Sequence, residues 1–267
     1  MNEPIWVWGL PFAAVTQSEA VTAVDRLIEA GRPSYFVTAN THYAMLTKEL
    51  PVMAAVNAGA AFILADGRPI VWASRLRGTP LPERVAGSDL IFDLCELAAR
   101  KGYAVYLLGG ASGVGEAAAD RLRRRYPGLR IVGVDCPPFR EPTALEHEAL
   151  IARVRAARPH LLFVAFGQPK GELWLTRHLE ALGVPVSVQV GAALDFAAGR
   201  MRRAPRVLQV AGLEWLFRLV LEPRRLFFRY ARNARFAAGM MARDLAGRSA
   251  PRLSGESTDR PTQGAES

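Results

Sequence analysis

An α/β fold built on a mostly parallel sheet is the class that this sequence predicts. Short apolar runs rich in β-branched and aromatic residues alternate with longer stretches of helical periodicity. That alternation is typical of strands covered by helices on both faces, a Rossmann-like arrangement. The chain has 267 residues, 50% hydrophobic and 22% charged, which is enough for one large domain with a substantial core.

Six candidate strands carry this pattern, the first reading SYFVTA and the fifth HLLFVAFG. We place the strands at 34–39, 60–65, 103–109, 129–134, 160–167 and 185–191. We place six candidate helices at 18–30, 41–57, 88–101, 113–126, 143–157 and 170–182.

The composition changes twice near the C-terminus. After Arg200 the chain becomes dense in arginine and aromatic residues, and after Gly247 it becomes polar and rich in Pro, Ser and Gly. A segment of the second kind cannot bury enough apolar surface to fold alone. We therefore predict a Rossmann-like core over 1–203, a basic amphipathic appendage over 204–246 and a disordered tail over 247–267.

The charge balance favours an anionic partner. Lys and Arg number 34 against 25 Asp and Glu, a formal net charge of +9. Nucleic acid, a phosphorylated small molecule or an acidic membrane surface would each suit that charge.

Metal binding and membrane insertion find no support in the sequence. Two separated cysteines and four scattered histidines lack the spacing of a metal site, so we expect no metal and no cofactor. The N-terminal MNEPIWVWGLPF lacks the features of a secretory signal, and no apolar run reaches the roughly 20 residues of a bilayer span. We expect the chain on the cytosolic side.

Polar residues follow four predicted strands, at the edge where open α/β sheets bind their ligands. Each has a structural alternative, since Asn and Asp also cap helices and form turns, and Gly adopts positive φ. Four strand ends with polar residues on one edge of the sheet favour a ligand-binding site there. The candidates are Thr38, Asn40, Asp66, Gly67, Gly109, Gly110, Gln168, Pro169, Lys170 and Glu172.

The glycine-rich stretch GGASGVG at 109–115 invites comparison with dinucleotide-binding loops. Its glycines run GxxGxG rather than GxGxxG, although Asp135 lies after the next strand, where a ribose ligand would be expected. Two interpretations stay open: a diphosphate bound at the helix N-terminus, or a turn that packs helix against sheet.

Six stretches, in order over about residues 5–233, together resemble the bacterial WecG/TagA/CpsF glycosyltransferases, family 26 of that class. They are TANTHY, ADGRPIVWASRLRGTPLPERVAGSDL, YLLGGASGVGEAAADRLRRRYPGLRIVG, FVAFGQPKGELW, VGAALDFAAGRMRRAP and GLEWLFRLVLEPRRLFFRY. The resemblance implies a metal-independent, inverting enzyme that takes a sugar from a UDP-sugar donor. It also implies a polyprenyl-diphosphate-linked saccharide acceptor at the cytoplasmic membrane, in cell-surface polysaccharide biosynthesis.

The resemblance assigns roles to the candidate residues. Single displacement needs a base for the acceptor hydroxyl, and Asp66 is the expected one. Arg84, in PERVAG, would contact anionic or sugar groups, while Thr38 and Asn40 would hydrogen-bond donor or acceptor hydroxyls. Gly67 would let the backbone pass close to a sugar.

Three further positions follow from the same resemblance. Arg218 and Arg225 match arginines near the family's C-terminus and are expected to neutralise the departing UDP. Asp195 would be a nucleotide contact or a structural cap. Gly171 departs from the family, which usually has Gln there, so an amide that could contact substrate is missing.

The segment RRLFFRYARNARFAAGMM is predicted to be an amphipathic basic helix. Helical spacing places one set of residues, Arg225, Arg229, Arg232 and Arg235, opposite another, Phe227, Tyr230, Ala234, Ala237 and Met241. The helix would either pack on the core with a solvated basic side or bind an anionic membrane surface. The lipid-anchored acceptor implied by the resemblance favours binding of this helix to the membrane.

Two other classes fit part of the sequence. A nicotinamide-dependent oxidoreductase fits the alternating strands and helices but requires the glycine order that this chain lacks. A nucleic-acid-binding protein fits the charge, but the arginines cluster after an enzyme-like domain, so no nucleic-acid partner is expected. The donor sugar, the acceptor saccharide and the formation of a homo-oligomer stay open.

Overall fold

A computed structural model describes residues 3–137, 140, 143–201, 204–205, 208 and 214–247. It confirms the predicted α/β class with an eight-stranded, mostly parallel sheet. The strands are β1 (Ile5–Val7), β2 (Leu10–Phe12), β3 (Ser34–Ala39), β4 (Ile63–Ala65), β5 (Ala104–Gly109), β6 (Arg130–Asp135), β7 (Leu161–Ala165) and β8 (Val186–Gln189).

The sheet order is β1-β2-β4-β3-β8-β7-β5-β6. Only β1 and β2 pair antiparallel, and every other neighbouring pair is parallel. The carboxyl ends of β3, β4, β7 and β8 therefore meet on one edge near the middle of the sheet. That edge is where the polar strand ends were predicted to gather.

Helices cover both faces of the sheet. They are α1 (Gln17–Ala30), α2 (Thr41–Glu49), α3 (Met53–Gly59), α4 (Arg68–Leu76), α5 (Gly87–Lys101), α6 (Val114–Arg125), α7 (Ala144–Ala157), α8 (Lys170–Leu182), α9 (Ala193–Ala198), α10 (Glu214–Leu221) and α11 (Pro223–Leu245). No helix among the described residues is both long and apolar enough to cross a membrane.

Alternation along the strands divides the core between the two faces. On β7, Leu161 and Phe163 pack with α1, α5, α6 and α9, whereas Leu162 and Val164 pack with α7 and α8. Side chains of a strand point alternately to opposite faces, so a strand buried on both sides is apolar throughout. This explains why the strands read as continuous apolar runs.

The structure differs from the sequence prediction at several elements. The helix predicted at 41–57 is two helices, α2 and α3, because Pro51 cannot continue the hydrogen-bonding pattern of α2. The N-terminal strands β1 and β2 were not predicted, since three-residue strands carry little periodicity. Helices α4 and α9 were also missed.

The C-terminal helix α11 packs on the core beside α2 and α4. Ala237 and Met240 are buried in the same apolar cluster as Trp8. The Trp8 indole donates a hydrogen bond to Asp244 (3.0 Å), which also forms an ion pair with Arg77 (2.7 Å). The predicted division of the chain at 203/204 stays a prediction, but α11 shares a core cluster with the N-terminal strands.

The predicted division of α11 into a basic and an apolar face was partly wrong. Phe227, assigned to the apolar face, is 57% exposed, whereas Leu226 next to it is fully buried. Arg229, assigned to the basic face, borders the cavity described below. The helix packs through a stripe rotated by about one residue from the predicted one, because partners on α2 and α4 decide which side is covered.

Candidate active site

A cavity of about 650 Å³ lies beyond the carboxyl ends of β3, β4, β7 and β8, with α10 and α11 forming its far wall. Seven predicted site residues line it together: Thr38, Asn40, Asp66, Gly67, Arg84, Gln168 and Arg218. A second recess, bordered by Arg158, His160 and Gly183, lies at the amino ends of the strands, where α/β sheets seldom bind ligands.

Asp66 follows the last residue of β4, and its backbone N–H donates to the carbonyl of Ala39 at the end of β3 (2.9 Å). This bond ties the residue to the sheet, so its carboxylate has a fixed place in the cavity wall. Surrounding protein withdraws the carboxylate from water and raises its pKa to about 6, against the opposing effects of Arg84 and of a hydrogen bond from the Gly87 N–H. A carboxylate with that pKa is ionised at neutral pH and accepts a proton more readily than an ordinary Asp.

Gly87, the first residue of α5, permits this arrangement. A Cβ atom there would lie 3.2 Å from Thr38 Oγ1 and 3.5 Å from Asp66 Oδ2. The close approach allows the helix N-terminus to reach the carboxylate, where its dipole favours negative charge.

Arg84 crosses from the loop before α5 toward the C-terminal helices. Its guanidinium forms ion pairs with Glu214 (3.4 Å) and Asp89 (3.9 Å). The Arg84 side chain is 21% exposed, so it is held in place but still accessible from the cavity. It is positioned to meet an anionic ligand beside Asp66.

Asn40 caps a helix and also lies at the cavity, and its predicted contact with a sugar hydroxyl stays a prediction. Its Oδ1 accepts a hydrogen bond from the Tyr43 N–H (3.0 Å) and so caps α2, yet the residue also borders the cavity. Capping uses the oxygen and leaves the NH₂ group as a donor. Thr38, 8% exposed, lies on the same wall.

Arg218 reaches the cavity from α10. Its guanidinium lies over the ring of Phe196, 5.6 Å from the centroid, and its Nε is buried without a hydrogen-bond partner in the described part of the chain. A buried donor lacking a partner is costly unless a ligand supplies one. Arg225 lies in α11, and its side chain is outside the described residues.

Gln189, at the end of β8, was not predicted and fixes the loop that carries Gln168. In the amide orientation that satisfies both groups, its oxygen accepts from the Gly167 N–H (2.9 Å) and its NH₂ donates to the Val164 carbonyl. Gly171 makes room for it: a Cβ at 171 would lie 2.6 Å from Gln189 Cδ. The glycine that departs from the family pattern is thus matched to a neighbouring glutamine.

We expect Gly171→Ala to destabilise the protein by about 1–3 kcal/mol and to lower kcat/KM, because Gln189 must move and release Gly167. Chemical denaturation of Gly171→Ala, Gln189→Ala and the double variant measures the coupling, which should be large if the two side chains compete for one space. A double variant whose loss equals the sum of the two single losses would show that Gln189 is not the obstacle.

The other predicted binding residues lie outside the cavity wall. Gly109 and Gly110 have positive φ. A Cβ at Gly109 would approach the Ala165 carbonyl of β7 to 2.8 Å, and one at Gly110 would lie 3.3 Å from Val114 and Leu194, so both glycines have a packing role. Pro169 and Lys170 begin α8, and Asp195 lies in the first turn of α9 next to Phe196. Ligand contact by these residues stays a prediction.

Glu172 has a buried carboxyl group, only 3% exposed in the first turn of α8. Burial raises its pKa to about 7, opposed by hydrogen bonds from its own N–H and from Gln168. The sequence predicted Glu172 among the binding residues, and the structure places its carboxyl group inward, hydrogen-bonded by Gln168.

Asp135, the residue considered for a ribose, is already engaged. It accepts hydrogen bonds from the Tyr106 hydroxyl and from Arg153 (2.9 Å). Gly115, in the first turn of α6, packs on β6, since a Cβ there would lie 2.6 Å from Val134. The glycine order and the engaged carboxylate both argue against nicotinamide binding at this position.

Several cavity residues were missed by the sequence analysis. They are His42, Arg68, Trp72, Gln189, Glu214, Trp215, Arg229, Tyr230 and Asn233. Gln189 was detectable, because it is a polar residue at a strand end. The residues of α10 and α11 were not, because nothing in the sequence shows that these helices fold back over the sheet edge. No three His, Cys, Asp or Glu side chains in the described parts of the chain cluster as metal ligands.

The sheet and its cavity define the class: an α/β protein with a fixed acidic group facing arginines at the carboxyl edge of a parallel sheet. Residues 5–250 match the family described as "Glycosyl transferase WecG/TagA/CpsF family". The chain belongs to this family, and hence to the glycosyltransferases.

Two relatives illustrate the match, and both are named N-acetylglucosaminyldiphosphoundecaprenol N-acetyl-beta-D-mannosaminyltransferase. The protein of Bacillus spizizenii strain W23 is 30% identical over 212 residues, 78% of this chain and 80% of the relative. The protein of Staphylococcus aureus strain MRSA252 is 32% identical over 167 residues, 62% of this chain and 64% of the relative. Membership places the chain apart from the oxidoreductases and nucleic-acid-binding proteins considered above.

Proposed function

We propose that this protein is an inverting transferase that moves a sugar from a UDP-sugar to a polyprenyl-diphosphate-linked saccharide. N-acetylmannosamine, named in both relatives, is the first donor sugar to test, and other hexoses are the alternatives. The product would enter cell-surface polysaccharide synthesis on the cytoplasmic face of the membrane. The observation that carries the proposal is Asp66, held at a strand end in a cavity also lined by Arg84 and Arg218.

The placement of Asp66 and the two arginines supports transfer of the sugar by a single displacement of UDP. The acceptor hydroxyl oxygen attacks the anomeric carbon while the bond from that carbon to UDP breaks. Asp66 takes the hydroxyl proton as the bond forms, which is the role of a general base. Attack opposite to the leaving group inverts the anomeric configuration.

The leaving diphosphate gains negative charge as it departs. Arg84 and Arg218 would supply positive charge and hydrogen bonds there, from the wall of the same cavity. We infer that the arginines do the work that a divalent cation does in other transferases, and that the reaction needs no metal.

A screen of UDP-sugars against a lipid-diphosphate-linked N-acetylglucosamine acceptor tests the function. Run in EDTA, with the product mass measured, it should show transfer from UDP-N-acetylmannosamine or another UDP-hexose. Transfer only after Mg²⁺ or Mn²⁺ is added would contradict the metal-independent mechanism. No transfer from any UDP-sugar would contradict the function.

The surface next to the cavity supports membrane association. Exposed apolar residues crowd the junction of α10 and α11: Val220 is 72% exposed, Phe227 57% and Phe228 76%. Arg224 and Arg229 are exposed beside them. Aromatic and basic residues together bind anionic bilayers through interfacial burial and charge attraction.

Trp215 links this surface to the cavity. It is 48% exposed, borders the cavity and contacts Tyr230 edge-on, with ring centroids 6.2 Å apart. An acceptor anchored by a lipid chain could therefore reach the site from the membrane side without leaving the bilayer.

We expect Phe227→Ser/Phe228→Ser to weaken binding to anionic vesicles by about tenfold or more, since each Phe loses about 1.5–3 kcal/mol of burial at most. Turnover of a short-chain, water-soluble acceptor should stay near the wild-type rate. Vesicle co-sedimentation measures the binding to vesicles, and product formation measures the turnover.

Leu145→Ser is the matched control. Leu145 lies on α7 and is 79% exposed, so this variant also removes an exposed apolar residue, but away from the cavity. Equal vesicle binding by the Phe variant and this control would contradict the proposed membrane surface.

A further inference from the structure

Glu214, the first residue of α10, contacts Arg84, which lies in the loop before α5 on the other side of the cavity. Its carboxylate pairs with Arg84 at 3.4 Å, and its side chain is only 14% exposed. Asp89 approaches the same guanidinium at 3.9 Å. The ion pairs that Arg84 makes within the described parts of the chain thus run to Glu214 and Asp89 and not to Asp66.

We propose that Glu214 is a positioning residue that draws the Arg84 guanidinium toward α10, so that Asp66 beside it is not held in a direct ion pair with Arg84 and can accept a proton. The inference rests on the proposed role of Asp66 as the base. In this proposal a residue of the C-terminal helices, Glu214, helps to set the proton affinity of Asp66.

The groups facing Asp66 come from three elements. Arg84 and the Gly87 N–H favour its ionised form, whereas burial and the carboxylates of Glu214 and Asp89 oppose it, with burial the largest cause of its raised pKa. Glu214 acts twice in the same direction: its charge repels the Asp66 carboxylate, and its pull on Arg84 withdraws the compensating cation. Removing the charge of Glu214 should therefore make Asp66 more acidic.

The same contact couples the base to the position of α10. The helix that carries Glu214 also carries Arg218 and the exposed Val220. The Arg84–Glu214 pair is thus the point where the wall formed by the C-terminal helices contacts the loop before α5.

The test replaces Glu214 by Gln, which keeps the shape and removes the charge. We expect the pH at which kcat/KM reaches half of its plateau to move down by about half a pH unit or more. The plateau rate should fall, because a weaker base accepts a proton less readily. Glu214→Asp, which keeps the charge, should lie between Glu214→Gln and wild type.

Glu49→Gln is the matched control. It removes another carboxylate that ties a C-terminal helix to the core, the Glu49–Arg232 pair (3.0 Å) between α2 and α11, away from Asp66. Its pH profile should overlay that of wild type. A profile that moves equally in Glu49→Gln and Glu214→Gln would overturn the proposal, since loosened packing alone would then explain both.

A titration of the Asp66 carboxyl by ¹³C NMR, assigned by its absence in Asp66→Asn, decides the inference without any turnover. A lower pKa for Asp66 in Glu214→Gln than in wild type supports it, and an unchanged pKa overturns it. Absence of sugar transfer by the wild type would instead overturn the proposed function, and the NMR titration would still stand.

Discussion

Asp66→Asn is expected to lower the transfer rate by about 10² to 10⁴-fold while leaving the fold intact, because an amide cannot accept the proton of the acceptor hydroxyl. Substrate binding should change little, since Asn keeps the size and most hydrogen bonds of Asp. Steady-state kinetics at saturating donor measures the rate, and circular dichroism checks the fold. A folded variant with near-normal turnover would remove Asp66 from the role of base.

The same substitution is expected to stabilise the protein at neutral and alkaline pH. The pKa of Asp66 is raised to about 6 in the folded state by burial, so folding holds a proton that the unfolded chain releases at lower pH. The favourable contribution of the group is therefore present below its unfolded pKa and is lost as pH rises through about 6.

Asn carries no charge at any pH and avoids that loss. Asp66→Asn should unfold at a higher temperature than wild type at pH 8, with a gain of about 1–2 kcal/mol because the carboxylate partly faces the open cavity. The gap should shrink toward pH 4. Thermal denaturation across this range measures it, and a variant less stable than wild type at pH 8 would contradict the burial of the charge.

Arg218→Ala is expected to lower kcat by about 10² to 10³-fold, the usual cost of one donor that stabilises developing charge. Its guanidinium stacks on Phe196 and has a buried Nε that no group of the described residues satisfies, which fits a residue prepared for an anionic ligand. Arg218→Lys should recover part of the loss, since it keeps the charge but not the fork of donors.

The measurement uses a water-soluble acceptor, so that membrane association does not enter. Arg224→Ala removes an exposed arginine from the first turn of α11 and serves as the control, with turnover expected near wild type. Vesicle binding by Arg218→Ala should be unchanged. Full turnover by this variant would show that Arg218 does not assist the leaving diphosphate.

The sequence was informative wherever a local pattern carries the structural signal. Continuous apolar runs marked the central strands, because these strands are buried on both faces. Thr38, Asn40, Asp66 and Gln168 were found because polar residues at strand ends meet on one edge whatever the order of the strands.

What the sequence did not reveal depends on contacts between distant segments. Arg229 was assigned to a basic face expected to be solvated or bound to a membrane, but α11 packs across the sheet edge and Arg229 also borders the cavity. Glu214 belongs to α10, a helix that the sequence did not predict, and only its pairing with Arg84, 130 positions away, shows its place in the site. Gly171 looked like a missing amide until Gln189 was seen to occupy the space.

The anomeric configuration of the product is the measurement that tests the single displacement most directly. UDP-hexoses are α-linked, so wild-type enzyme supplied with UDP-N-acetylmannosamine and the soluble acceptor in EDTA should form a β linkage, read from the one-bond C–H coupling at the anomeric carbon by NMR. Both relatives are named for a β-mannosaminyl product. A product with the α configuration would require two displacements or a different mechanism, and would contradict the role of Asp66 as a base acting in one step.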